Sequence, residues 1–175
     1  MRKSLSKSLS IKGGRGFTIL ELVGVIAVLG ILATLLLVTW QRIPSIMDRA
    51  RCMSNLRSLH ASFESYLQDK GHWPQQPDFE GGQHKLYEDW WIEEMKPYGA
   101  TEKVWVCGGA LKLSKGLPEQ GQVRMSYYPT MFDENPMTPH RWPTQPWLVE
   151  NANVHGKGPL ILFPDGSIKD LDDLL

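Results

Sequence analysis

Three sets of side chains in this 175-residue chain are of types that do chemistry. The first is a single carboxylate, Glu21, near the start of the otherwise uncharged run Phe17–Trp40. An ionised side chain at bilayer depth costs roughly 2.5–3.5 kcal/mol on insertion scales, so an acid there demands a partner. The second set is the pair Cys52 and Cys107, the only cysteines. In a compartment outside the cytoplasm an even pair is compatible with one disulfide, and two buried unpaired thiols are the alternative. A zinc centre needs more ligands at close spacing than this chain offers. The third set is His155 and Asp165, with Asp170, Asp172 and Asp173 beyond. A His–Asp pair can orient a general base, but no nucleophile with a recognisable elbow surrounds Ser114, Ser126 or Ser167. A turn aspartate and a histidine at strand ends is the plainer reading. Loop oxygens suit calcium, which makes Asp165 and Asp170 candidate ligands. The spacing matches no calcium loop, and a solvated acidic tail is the plainer account of these residues.

The elements that must position these groups follow from charge and periodicity. Residues 1–16 hold Arg2, Lys3, Lys7, Lys12 and Arg15 and no acid, a charge of +5. Fourteen basic residues then face nineteen acidic ones, so the remainder carries −5. A basic leader before an apolar stretch reads as a membrane-directed chain with its N-terminus inside. The remainder has no dense basic patch, which argues against nucleic acid as a partner. Residues 17–40, as a helix rising 1.5 Å per residue, measure about 36 Å, enough for a hydrocarbon core of about 30 Å. The run is longer than the apolar part of an ordinary secretory signal, and no small-x-small cleavage site follows it.

Pro44 is expected to kink or interrupt the helix. Beyond it, Cys52, Leu56, Leu59, Phe63 and Tyr66 form one apolar stripe on a helix reaching about Gln68, with Gly71 and Pro74 ending it. A second helix is expected over His84–Lys96, with Leu86, Trp90 and Met95 apolar and Trp91 nearby. Val104–Gly108 reads as a short extended stretch and Gln122–Tyr128 as a strand. Pro129–Pro146 reads as a long loop that Trp142 and Trp147 would pack down. Leu160–Phe163 and Ser167–Leu171 read as a β-hairpin about Asp165–Gly166.

One stretch carries a specific resemblance. Gly16-Phe17-Thr18-Ile19-Leu20-Glu21, behind a basic leader and ahead of an apolar helix, resembles the processing site of type IV pilins and type II secretion pseudopilins. Cys52, Asn55-Leu56-Arg57, Tyr66, Asp69, Gly71 and Pro74 resemble the following segment of the major pseudopilins. His155, nine residues, then Asp165-Gly166 resembles the H-x9-DG signature of a pseudopilin-like subgroup. Cys107-Gly108 departs from the Cys-Pro of that subgroup. The likeness covers Gly16–Pro74 well and the C-terminal signature moderately.

The resemblance implies an α+β fold, in which a long N-terminal helix, half membrane anchor and half domain spine, packs on a small antiparallel sheet. It divides the chain into a leader (1–16), a transmembrane and filament-core helix (17–40), an amphipathic continuation (41–70) and a periplasmic α+β domain (71–175). A prepilin peptidase would cut between Gly16 and Phe17 and methylate the new amine. Glu21 would then pair with the Phe17 amine of a neighbouring subunit. The implied role is structural rather than enzymatic: an inner-membrane, single-pass subunit assembling into a periplasmic pilus-like filament for protein export. Its partners would be other pseudopilins, the inner-membrane secretion platform and lipid, with no cofactor unless calcium binds. A minor type IV pilin for adhesion, motility or DNA uptake is the alternative within the class. A membrane-anchored periplasmic enzyme or binding protein is the alternative outside it.

Overall fold

The structure, a computed structural model, describes residues 18–79, 84–118, 123–156 and 158–174, except for the side chains of residues 38–45. The chain divides into two compact units at Gln41/Arg42.

The first helix, α1, runs Ile19–Lys70. Within the N-terminal unit it offers Ile19–Leu37, an apolar stretch long enough to cross a membrane with none of its side chains buried. A helix apolar on all sides finds no soluble surface to hide in and requires lipid or other helices around it. Pro44 does not interrupt the helix, which carries through that position. A proline inside a helix removes one ladder bond and costs about 3 kcal/mol, a local cost within a helix of 52 residues.

In the C-terminal unit the stripe expected on α1 is the centre of the core. Cys52, Leu56, Leu59 and Phe63 are wholly buried and Tyr66 nearly so. The helix ends where Gly71 takes φ +73° and its N–H donates to the Leu67 carbonyl at 2.9 Å, a glycine C-terminal cap. Trp73, just beyond, stacks on Phe63 with ring centroids 4.6 Å apart and meets Trp147 edge-on.

Helix α2 spans His84–Met95 and continues as a 3-10 turn, Lys96–Tyr98. Its buried face is Trp91, Ile92 and Met95, whereas Leu86 is half exposed. Of the apolar residues noted there, Met95 and Trp91 are buried, Trp90 is partly buried against the core and Leu86 is not in it. Of the stretch Val104–Gly108 expected to be extended, only Val106 and Cys107 are so; Val104 and Trp105 end a 3-10 turn, Glu102–Trp105, and Gly108 opens the short helix α3, Gly108–Ser114. Trp105, buried at the end of that turn, wins over the β-propensity of its valine neighbours.

Four short strands, β1 Tyr127–Pro129, β2 Leu148–Glu150, β3 Leu160–Leu162 and β4 Ile168–Asp170, form an antiparallel meander in sequence order. Only the end of the expected Gln122–Tyr128 strand forms, and Gln122 lies outside the described residues. The Pro129–Pro146 loop contains a short helix, α4 Thr138–Arg141. Trp147 does pack it down, donating its indole N–H to the Pro139 carbonyl at 2.8 Å, whereas Trp142 stays half exposed. The C-terminal hairpin forms as expected, with Leu160 opposite Asp170 and Leu162 opposite Ile168. Leu148, Leu160 and Leu162 join the α1 stripe in one core. This is an α+β domain built on the second half of a long helix.

Candidate functional site

Gly16 and Phe17 lie outside the described residues, so the geometry at the N-terminus begins at Thr18. Glu21 is held there by a reciprocal capping box. The Thr18 backbone N–H and hydroxyl both donate to Glu21 Oε2, at 2.9 and 3.0 Å, and the Glu21 N–H donates to Thr18 Oγ1 at 3.3 Å. The pattern Thr-x-x-Glu is the sequence signature of this motif. Sequence reasoning looked for the partner of Glu21 in another subunit and passed over the one three residues away. The box supplies hydrogen bonds to the carboxylate but no counter-charge.

A second site is built inside the globular unit from four segments. Cys52 comes from α1, Cys107 from the residue preceding α3, Glu150 from the end of β2 and His155 from the loop that follows. All four side chains are buried, and one ligand atom from each lies within 4.8 Å of the others. The cysteines form a disulfide with Cα atoms 5.2 Å apart. His155 Nε2 stands 3.2 Å from Cys107 Sγ and 3.3 Å from Glu150 Oε1. The other oxygen of Glu150 accepts the Leu160 N–H at 3.0 Å. His155 Nδ1 is buried with no hydrogen-bond partner among the described residues.

Local sequence explains how these segments meet. Asn55, one turn beyond Cys52, donates its side-chain amide to the Val106 carbonyl at 3.0 Å and sets Cys107 against the helix. Ser126 accepts the Cys107 N–H through Oγ at 2.9 Å and takes the Asn151 N–H on its carbonyl at 2.8 Å, joining the Cys107 turn to the end of β2. A Cβ on Gly109 would stand 3.0 Å from Val154 Cγ2, so glycine there lets the His155 loop approach α3.

The electrostatics of the cluster are those of burial. Desolvation pushes the Glu150 carboxyl up to about 7 and holds the His155 imidazolium below its ordinary range. Arg49, one turn before Cys52, contributes a positive field and is itself paired with Asp170 on β4.

The structure separates the other residues singled out from sequence. His155 belongs to the buried cluster, whereas Asp165 is at the exposed hairpin turn, where its carboxylate accepts the Ser167 N–H at 2.9 Å. Asp170 is buried against Arg49. Gly166 completes the turn at φ +76°. The Pro164 carbonyl lies 3.0 Å from His60 Nε2 on α1, and His60 stacks on Trp147.

The hairpin is tied at two points, to His60 of α1 through the Pro164 carbonyl and to Glu150 of β2 through the Leu160 N–H.

No family model, curated protein or solved structure matches this chain.

Proposed function

We propose that this chain is a structural, pseudopilin-type subunit: an inner-membrane precursor that a prepilin peptidase cleaves between Gly16 and Phe17, methylating Phe17. The processed subunit then joins homologous and other pseudopilin subunits in a periplasmic filament for protein export. The observation that carries this reading is the start of α1. There an apolar helix long enough to cross a membrane, with every side chain from Ile19 to Leu37 exposed, has one carboxylate in its first turn. Such a surface is satisfied by lipid before assembly and by neighbouring helices after it. Among the described residues Glu21 receives hydrogen bonds from Thr18 but no positive charge. The cationic amine of a neighbour's Phe17 supplies that charge where the dielectric is low. Losing the +5 leader removes the residues that would hold the N-terminus at the cytoplasmic face.

In this reading the globular unit is carried along the filament by α1, and the chain is the substrate of an enzyme rather than an enzyme. Lipid, the peptidase, sister subunits and the secretion platform are its partners, and the −5 charge of the processed chain disfavours nucleic acid. Reconstitution with a peptidase and an assembly platform tests this. Sedimentable filaments containing the processed chain are expected, and Glu21→Ala should remove the chain from them while leaving cleavage intact. Normal incorporation of Glu21→Ala would overturn the charge-pair argument.

A further inference from the structure

The buried quartet Cys52, Cys107, Glu150 and His155 is more than the surroundings of a disulfide. A disulfide needs neither an imidazole nor a carboxylate, and both are costly to bury. Two sulfurs, an imidazole nitrogen and a carboxylate oxygen are together a donor set that suits zinc. We infer that in the reduced chain these four side chains bind one zinc ion.

The geometry supports this at each ligand. With zinc bond lengths of about 2.0–2.3 Å, the edges of a tetrahedron are about 3.4 Å for nitrogen to oxygen and about 3.6 Å for sulfur to nitrogen. The corresponding separations are 3.3 Å from His155 Nε2 to Glu150 Oε1 and 3.2 Å from Cys107 Sγ to Nε2. The two sulfurs have to move apart to about 3.8 Å, which side-chain rotation achieves once the disulfide is open, and the four ligand atoms, which lie within 4.8 Å of one another, then close on the ion. Glu150 already has the outer contact expected of a ligating carboxylate, its second oxygen being fixed by the Leu160 N–H. One oxygen and Nε2 therefore face the sulfurs.

The two forms of the site are mutually exclusive. A dithiol or phosphine reductant supplies two electrons to the disulfide, giving two thiols. Both thiols lose their protons as the sulfur–zinc bonds form, and Glu150 and neutral His155 complete the coordination. Oxidation of the thiolates by a disulfide oxidant expels the ion and restores the cystine. In either state α1, the Cys107 turn, the end of β2 and the His155 loop are joined.

Cobalt is the probe. Full-length protein in detergent, reduced by a phosphine, is titrated with Co²⁺ and read by absorption, then challenged with Zn²⁺. One equivalent of cobalt with an intense thiolate-to-metal charge-transfer band, displaced by zinc, is the expected result. The oxidised protein and the Cys52→Ser/Cys107→Ser variant should show no such band. Glu150→Gln keeps an acceptor for Leu160, and together with His155→Gln it should weaken binding at least tenfold. Far-UV dichroism verifies that each variant is folded. Absence of the band in the reduced wild-type chain would overturn the inference. So would a band of unchanged affinity in both Glu150→Gln and His155→Gln.

Discussion

Reducing the Cys52–Cys107 disulfide, with a chelator present, should destabilise the globular unit by about 4 kcal/mol. The bond joins residues 55 apart, linking α1 to the start of α3. Closing a loop of that length removes roughly 14 cal/mol/K of entropy from the unfolded chain, or about 4 kcal/mol at 25 °C. For a unit of this size, each kcal/mol corresponds to roughly 3–4 °C, so the midpoint should fall by about 12–16 °C. Tryptophan fluorescence is the appropriate assay, because Trp73, Trp91, Trp105 and Trp147 are all fully buried in the globular unit. Oxidised and reduced full-length protein would be compared in detergent by urea titration and by heating. The chelator matters, since zinc bound to the reduced site would return part of the lost stability. A reduced, metal-free protein within about 1 kcal/mol of the oxidised one would refute this reasoning.

Other perturbations separate the roles assigned to individual residues. Gly166→Ala places a β-carbon at φ +76° and about 3.3 Å from His60 Cε1, which should cost about 1–2 kcal/mol in a urea titration. For Glu150 the folded pKa lies above the unfolded value, so its contribution to stability is lost as pH rises from about 4.5 through about 7. Oxidised Glu150→Gln, lacking this titration, should therefore gain on the wild type by up to about 3 kcal/mol between pH 5 and pH 8. A pH-independent difference in urea midpoints would contradict that. Thr18→Val removes the hydroxyl from the capping box, at about 1 kcal/mol of helix stability, but leaves the carboxylate. It should assemble far better than Glu21→Ala; equal defects in filament incorporation would reduce Glu21 to a cap.

The fold was legible in the sequence wherever a period was long or a turn was chemically explicit. The α1 stripe from Cys52 to Tyr66, the Gly71 cap and the Asp165–Gly166 hairpin all follow from residue types at fixed offsets. Short apolar pieces were not legible. Val104–Val106 has strand propensity, yet Val104 and the buried Trp105 lie in a 3-10 turn and only Val106 is extended. The buried face of α2 was not legible because Leu86 and Trp91 are both apolar, and only the packed core shows which one is buried. The quartet was half visible. Cys52 and Cys107 were marked as a possible pair and His155 as part of a signature, but Glu150 carried no signal. His155 is five residues on, but the two cysteines are far away in sequence, and ligand-spacing rules register only local pairs. The capping box at Thr18 was readable, since Thr-x-x-Glu is a local pattern, but the membrane context directed attention away from it.

The mature N-terminus tests the central claim most directly. Intact mass and terminal-peptide mass spectrometry would be carried out on protein from cells with a prepilin peptidase and from cells lacking it. The account predicts a chain beginning at N-methylated Phe17 in the first and the uncut leader in the second. An intact leader in both would contradict it, leaving Glu21 as no more than the cap of a membrane anchor.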